Sequence, residues 1–193
     1  CDRQRVVHRP LRHRRLIMAA SPPPAITPDT KDWTWVINRR CPECGFVAPA
    51  PTEVAARIEA TIPRWTSALQ RSDVAVRSDP HRWSVLEYGC HVRDVCRVFD
   101  GRLAQLLTTD APTFADWDQD QAAIDGHYHE RHPGPIAADY ARQAGQIAGR
   151  FARVRDDQWP RRGTRSNGSQ FTVGTLAVYF LHDLEHHLHD VGG

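Results

Sequence analysis

The segment YFLHDLEHHLHDV, residues 179–191, carries the residues with the clearest capacity for chemistry. His182 and His186 are four positions apart, which puts two imidazoles on the same face of a helix, one turn from each other. Two such nitrogens bind a divalent metal ion at about 2.0–2.1 Å. A catalytic site then needs a third ligand from another element and keeps one coordination position open. The pair therefore predicts a helical metal centre.

His91 is the best candidate for the third ligand, because it flanks the apolar stripe of an earlier predicted helix. Histidines in such positions also occur as hydrogen-bonded core residues, and histidines near a helix end also complement the helix dipole. We assign that second role to His187 and His189, which point about 100° or more away from the pair around the helix. The predicted ligand set is His91, His182 and His186.

Cys41 and Cys44 lie in the segment CPECG, which has the form of half a zinc ribbon. A second pair of cysteines at similar spacing is missing, since Cys90 and Cys96 are six residues apart on one predicted helix and diverge around it by about 240°. Four interpretations stay open. The pair could form a second metal site completed by a helical cysteine or a histidine, a site shared between subunits, a reversible dithiol, or a plain turn.

Apolar residues at spacings of three and four predict the helices that position these groups. The predicted long helices cover about 52–70, 84–108, 135–154 and 172–191, and a shorter one covers 116–125. Ser84 and Glu87 form a capping box at the start of the second. The turn-rich run WPRRGTRSNGSQF, with Asn167-Gly168, predicts a hairpin or a long turn. This pattern indicates an all-α protein, an up-and-down four-helix bundle with one longer crossover.

The N-terminal region differs in composition from the rest. Residues 1–17 hold six arginines and one aspartate, so their charge is +5 although the whole chain carries +2. Met18, the only methionine, follows at once, and we interpret 1–17 as a non-native or disordered leader and Met18 as the natural start. A basic arm that binds nucleic acid is the alternative. Residues 18–51 predict an extended, Pro-rich lead-in docked by Trp33 and Trp35, and 52–193 predict the bundle.

Composition limits the class of protein further. With 193 residues, 40% of them hydrophobic and 25% charged, the chain fits one globular domain. It has neither an apolar run of membrane-spanning length nor a secretory signal pattern, which predicts a cytoplasmic protein without a membrane partner. In the cytoplasm the five cysteines should stay mostly reduced. Without the leader, the basic charge that would favour a nucleic-acid partner disappears.

Two segments resemble the DinB/YfiT-like metalloproteins, which include bacillithiol- and mycothiol-dependent transferases and isomerases. WSVLEYGCHVRDV at 83–95 is similar to the family's Trp-Ser/Thr start and mid-helix histidine, and HDLEH at 182–186 is similar to its late His-x-x-x-His. The resemblance covers most of residues 52–191. It implies a four-helix bundle, a metal on His91, His182 and His186, and a low-molecular-weight thiol bound to that metal as thiolate.

The function that follows from this resemblance is a metal-dependent thiol S-transferase or isomerase, with a small-molecule thiol and an electrophilic substrate as its partners. Zinc is the expected metal, with nickel, iron and manganese as alternatives. The competing hypotheses are a non-catalytic metal-binding stress-response or accessory protein, and a three-histidine iron enzyme of oxygen and sulfur chemistry. Whether the protein is a homodimer stays open.

Carboxylates near the predicted ligands are candidates for supporting roles. One among Asp94, Asp183 and Glu185 could orient a ligand imidazole, although at least two of them should be solvated helix charges. The candidates for a general base are Tyr88, Asp94 and the acids of the segment WDQD, residues 117–120.

Overall fold

The computed structural model describes residues 25–193. Within this range the helices are α1 (Val54–Ala68), α2 (Val85–Thr108), α3 (Gln119–Asp125), α4 (Pro133–Phe151) and α5 (Val173–Asp190). The strands are β1 (Thr113–Phe114), β2 (Arg162–Arg165) and β3 (Gln170–Thr172). The predicted all-α four-helix bundle is therefore confirmed. The predicted leader at 1–17 and the predicted start at Met18 lie outside the described residues.

The four long helices pack in an order that differs from the up-and-down expectation. Both α1 and α2 pack mainly against α4 and α5, so α1 and α2 lie diagonally across the bundle rather than side by side. The connections that follow α2 and α4 meet in a small sheet. In this sheet β1 pairs in parallel with β2, and β2 and β3 form an antiparallel hairpin. That hairpin turns at Asn167-Gly168, where Gly168 has a positive φ of 96°. Of the two predictions for this run, the hairpin is confirmed.

The core lies between the four long helices and is rich in aromatic side chains. Trp65 of α1 is fully buried and donates its indole N–H to the carbonyl of Leu184, at 3.3 Å. Tyr140 of α4 is also fully buried, and its hydroxyl lies 2.6 Å from that of Thr61. Buried polar groups need such partners, because an unpaired one costs about 1–3 kcal/mol. None of the described helices is long and apolar enough to cross a membrane.

The helix that carries His91 begins at the predicted capping box. The Ser84 hydroxyl accepts the Glu87 backbone N–H at 3.3 Å, and the Glu87 carboxylate accepts the Ser84 N–H at 2.8 Å. Both side chains are buried, and the Ser84 hydroxyl also donates to that carboxylate at 2.9 Å. These hydrogen bonds fix the start of α2, nearly two helical turns before His91.

Replacing Ser84 with alanine should lower the free energy of unfolding by about 1 kcal/mol, because the capping oxygen is lost and the buried Glu87 loses a donor. Urea denaturation followed by circular dichroism measures this change. Ser78→Ala is the control, since Ser78 is an exposed serine in the same connecting segment. Equal midpoints for the two variants would contradict the capping role.

Candidate metal centre

His91 of α2 meets Asp183 and His187 of α5, and we name these three residues the His-Asp-His cluster. The Nε2 atom of His91 lies 3.3 Å from Oδ1 of Asp183, and Nε2 of His187 lies 3.1 Å from the same oxygen. One potential ligand atom from each residue lies within 4.8 Å of those of the other two. Two imidazole nitrogens and a carboxylate oxygen are a donor set that suits zinc, iron and other divalent transition metals.

The packing of α5 determines which of its residues face α2. Leu181, Leu184 and Leu188 are fully buried in the bundle core and fix the rotation of the helix about its axis. With that rotation Asp183 and His187, four residues apart, share the face that reaches His91. His91 itself is fully buried.

Aromatic rings hold the His91 imidazole in place. Its ring centroid lies 5.2 Å from that of Trp83 and 5.6 Å from that of Trp117, with the Trp117 ring nearly parallel to it. Burial lowers the pKa of His91, although the neighbouring Asp183 opposes the shift. The imidazole is therefore neutral at physiological pH, which is the form that binds a metal.

His187 lies between two carboxylates that orient its ring. Its Nδ1 lies 2.9 Å from Asp190 Oδ2, while Nε2 faces Asp183. Burial lowers the pKa of His187, but the hydrogen bonds and charges of Asp183 and Asp190 prevail and raise it to about 9. For Asp183, burial acts in the opposite direction and raises the pKa. The hydrogen bonds with His187 and His91 outweigh this effect and hold the pKa of Asp183 well below its usual range. A carboxylate behind a ligand imidazole is the usual support of a metal-binding histidine.

The structure does not bring the three predicted histidines together. His182 and His186 lie beside the cysteines of the N-terminal segment, with Cys41 Sγ 3.8 Å from Nδ1 of His186. The reason is helix geometry: residues 182 and 186 form one stripe, residues 183 and 187 form the next, and the two stripes diverge by about 100°. Only the second stripe faces His91.

Cys41 and Cys44 have potential ligand atoms within 4.8 Å of those of His182 and His186, so these four residues form a second group, the Cys-His cluster. Burial raises the pKa of the Cys44 thiol to about 11. A reactive thiol has a lowered pKa instead, so this environment disfavours the reversible-dithiol interpretation. Cys90 and Cys96 are buried free cysteines outside both clusters.

Comparison with known proteins decides the family. A family model described as the DinB superfamily matches residues 69–191, well over half of the chain. The chain belongs to the DinB superfamily. No curated protein matches it. Among solved structures, the chain is similar to one described as "YfiT from Bacillus subtilis is a probable metal-dependent hydrolase with an unusual four-helix bundle topology". The two share 15% identity at a TM-score of 0.65, over 74% of this chain and 85% of YfiT.

Membership of the DinB superfamily confirms the resemblance found in the sequence, and the likeness to YfiT confirms the four-helix fold. At 15% identity the likeness to YfiT shows the fold alone. It transfers neither a metal nor a reaction to this chain.

A cavity of about 640 Å³ borders both clusters, because His182 and His186 also line it, and His91 lies buried behind Asp183 and His187. Asp183 and His187 lie in its wall, together with aromatic side chains and charged groups of both signs. Lys31 and Arg82 supply the cations, and Lys31 forms an ion pair with Glu43. The volume falls in the range of about 300–1,000 Å³ that is usual for small-molecule sites.

Asp120 of α3 lines the same cavity, and its carboxylate is partly buried. Its Oδ1 atom is buried and has no hydrogen-bond partner in the described part of the chain. Burial raises the pKa of Asp120, and the charge of Asp118 raises it further, although His91 opposes the shift. A carboxylate that has a raised pKa and lines a cavity fits the role of a general base or acid.

The other candidates from the sequence divide into two groups. Tyr88 lines the cavity, with its ring centroid 4.8 Å from that of His187, and burial raises the pKa of its phenol, which keeps it protonated. Asp94 instead accepts hydrogen bonds from Arg93 and from Tyr128, and Glu185 pairs with Arg57 at 2.7 Å. Those two carboxylates therefore have structural partners outside the His-Asp-His cluster.

Sequence reasoning missed Asp183 and His187 as candidate ligands. Asp183 was considered only as a support for an imidazole, and His187 only as a complement to the helix dipole. One signal was present in the sequence, because Asp-x-x-x-His at 183–187 has the same four-residue spacing as His-x-x-x-His at 182–186. His189 is exposed and belongs to neither cluster.

Proposed function

We propose that this member of the DinB superfamily is a metal-dependent thiol S-transferase or isomerase whose divalent metal binds His91, Asp183 and His187. The observation that carries the proposal is that Asp183 and His187 of this preassembled donor set line a cavity large enough for a small molecule. Cytoplasmic turnover of a low-molecular-weight thiol with an electrophile is the corresponding biochemical role.

The donor set fits a catalytic divalent metal. Two neutral nitrogens and one carboxylate leave coordination positions for a further ligand, as in hydrolytic zinc sites with two histidines and one carboxylate. Because the pKa of His187 is raised to about 9, a bound metal ion would displace the Nε2 proton, while the Nδ1 proton stays on the side of Asp190, 2.9 Å away. When bound there, a divalent cation lowers the pKa of a coordinated thiol or water.

The cavity wall determines how the substrates are held. Lys31 and Arg82 present cations, and Asp29 and Asp79 present carboxylates, on the same cavity surface. This mixture suits a polar thiol that carries hydroxyl, amide or carboxylate groups better than an apolar ligand. Trp83 and Trp117 cover His91 from two sides and limit the access of water to the buried part of the cluster.

We assign the role of thiol-proton acceptor to Asp120, which lines the same cavity as Asp183 and His187. In the transfer, the sulfur atom forms a bond to an electrophilic carbon, the bond from that carbon to its leaving group breaks, and the leaving group takes up the proton from Asp120. Protons and electrons balance without an external oxidant or reductant. The raised pKa of Asp120 makes it a better proton acceptor than an exposed aspartate.

Cobalt substitution tests whether a thiol reaches the His-Asp-His cluster. Adding mycothiol or bacillithiol to the cobalt-loaded protein should produce a new sulfur-to-cobalt charge-transfer band in the difference spectrum. The thiol should bind in its deprotonated form near neutral pH, although a free thiol has a pKa of about 8.5. Any band from Cys41 and Cys44 is present before the addition and cancels in the difference.

His91→Ala is the matched variant for this test. It removes the ligand that α2 supplies and leaves all four residues of the Cys-His cluster unchanged, so the thiol-dependent band should vanish. If the wild-type protein holds cobalt at His91, Asp183 and His187 and yet shows no new band with any of the thiols, the thiol-transferase proposal is wrong. Hydrolysis by a metal-bound water, or metal binding without turnover, would then be the better interpretation.

A further inference from the structure

The Cys-His cluster lies on the stripe of α5 next to that of the proposed catalytic ligands, and the proposed reaction does not use it. Two of its residues come from the N-terminal segment before α1, and two come from α5, about 140 residues later in the chain. The four potential ligand atoms lie within 4.8 Å of one another. We propose that Cys41, Cys44, His182 and His186 form a structural zinc site that fastens the N-terminal segment to α5.

The donor set is complete for zinc. Two cysteines and two histidines with the spacing Cys-x-x-Cys and His-x-x-x-His are a tetrahedral ligand set that leaves no open position. Two thiolates also neutralise the charge of a divalent ion, which suits a site where Cys41, His182 and His186 are all buried. The half zinc ribbon at CPECG thus finds its second pair of ligands on a helix.

The backbone around the cysteines is folded into a tight turn. The Gly45 N–H donates to the Cys41 carbonyl at 2.9 Å, and the Cys41 N–H donates to the Phe46 carbonyl, also at 2.9 Å. Gly45 has a φ of 78°, a conformation that an L side chain rarely adopts. The turn brings both thiols to one side of the segment, facing α5. A plain surface turn does not require this burial of Cys41.

His182 supplies an independent indication of a ligand. Its Nε2 atom is buried and has no hydrogen-bond partner among residues 25–193. Leaving such an atom unpaired is unfavourable, whereas coordination to a metal ion would satisfy it. Phe46 and Trp33 pack on the His182 ring at centroid distances of 5.2 and 5.3 Å and fix its orientation.

His186 has the partners expected of an oriented ligand. Its Nδ1 faces Cys41 Sγ at 3.8 Å, and its Nε2 lies 3.8 Å from Glu43 and 3.7 Å from Asp190. With Nδ1 on the metal, the Nε2 proton points toward these carboxylates. Asp190 also accepts from His187, so one carboxylate links the two clusters.

The site has a direct consequence for the catalytic cavity. Trp33, Lys31 and Glu43 belong to the N-terminal segment and line the cavity. The metal would add a fixed link to the apolar packing of the segment, in which Val36 and Phe46 are buried, whereas its exposed ion pair between Lys31 and Glu43 contributes little. Zinc at the Cys-His cluster therefore shapes one wall of the catalytic pocket without entering the reaction.

Metal analysis of untagged full-length protein tests this site. In the double variant Asp183→Ala/His187→Ala, which removes the proposed catalytic ligands, one equivalent of zinc should remain after dialysis against EDTA. Titration with an organomercurial should release that zinc as the thiols react. Cobalt in the same variant should show a sulfur-to-cobalt band and the intense visible bands of a tetrahedral ion.

Adding Cys44→Ser to that double variant should remove the remaining equivalent, and Cys90→Ala is the matched control that retains it. Should the cysteine variant fail to fold, the cobalt spectrum of the double variant still decides the question. Zinc lost on dialysis, cobalt bound without a thiolate band, or a Cys41–Cys44 disulfide as the form of the purified protein would each overturn the proposal.

Discussion

Asp183→Ala should abolish turnover and remove one equivalent of metal from the protein. Asp183 is the residue that both imidazoles of the His-Asp-His cluster approach, with Nε2 of His91 and of His187 at 3.3 and 3.1 Å from the same oxygen. Without the carboxylate the site keeps two nitrogens from two different helices, which is too few donors for a tightly held divalent ion. Metal analysis and a thiol-dependent activity assay measure the two losses separately.

The same substitution should leave the fold and the Cys-His cluster intact. Asp183 is partly exposed in the cavity wall, and its contacts with His91 and His187 lie outside the leucine core that holds α5, so circular dichroism should be unchanged. His189→Ala is the matched control, since it removes an exposed histidine from the same helix. An Asp183→Ala protein that keeps its full metal content and activity would show that the catalytic metal lies elsewhere.

The amino-acid sequence was sufficient to predict the bundle. The apolar stripes of the long helices and the Ser84–Glu87 capping box are local signals, and the structure confirms both. The hairpin at Asn167-Gly168 is also a local signal. The two-residue strand β1 is not, because its residues, Thr113 and Phe114, become a strand only by pairing with Thr164 and Arg165 far along the chain.

The periodicity of the sequence also does not predict the order in which the helices pack. A stripe of apolar residues shows which face of a helix is buried, but it does not show which helix covers that face. Short loops favour neighbours in sequence as neighbours in space. Here the connections are long enough for α1 and α2 to lie diagonally, with α4 and α5 between them.

The choice of candidate metal ligands on α5 could not be predicted from the sequence for a similar reason. Residues 182–190 contain four histidines, two aspartates and one glutamate, so four overlapping pairs have the four-residue spacing of a helical metal site. The choice between them depends on the rotation of α5 about its axis, which the burial of Leu181, Leu184 and Leu188 sets. The sequence correctly predicts that His91, His182 and His186 lie on helices. Which of the α5 residues lie beside His91 depends on the rotation of α5, which the sequence does not give.

The cysteines could have resolved this ambiguity. CPECG lacks a second pair of ligands within its own segment, and His182 with His186 has the spacing of the missing half. Once that pair is assigned to the cysteines, Asp183 with His187 and Glu185 with His189 remain on α5 as four-residue pairs for His91. The cysteine pair and the α5 pairs together therefore restrict the candidate ligand sets more than either motif does by itself.

Asp120→Asn should lower kcat by about 10²- to 10⁴-fold, the usual contribution of a positioned general base. Asparagine has nearly the same shape but cannot accept the thiol proton. Asp120 binds no metal in either cluster, so metal content should stay at the wild-type level. Stability should be unchanged or slightly higher, because the Oδ1 atom of Asp120 is buried without a partner and the variant removes a charge from that environment.

The pH profile separates this role from a purely structural one. Burial and the charge of Asp118 raise the pKa of Asp120 above its ordinary value of 3.8, so wild-type kcat/KM should fall as the pH decreases through that raised pKa and the base becomes protonated. In Asp120→Asn this acidic limb should disappear. Asp125→Asn is the matched control, because Asp125 is an exposed carboxylate of the same helix and its hydrogen bond from Gln121 can be kept by asparagine. Full activity and an unchanged acidic limb in Asp120→Asn would assign the proton transfer to another group, with Tyr88 as the next residue to replace.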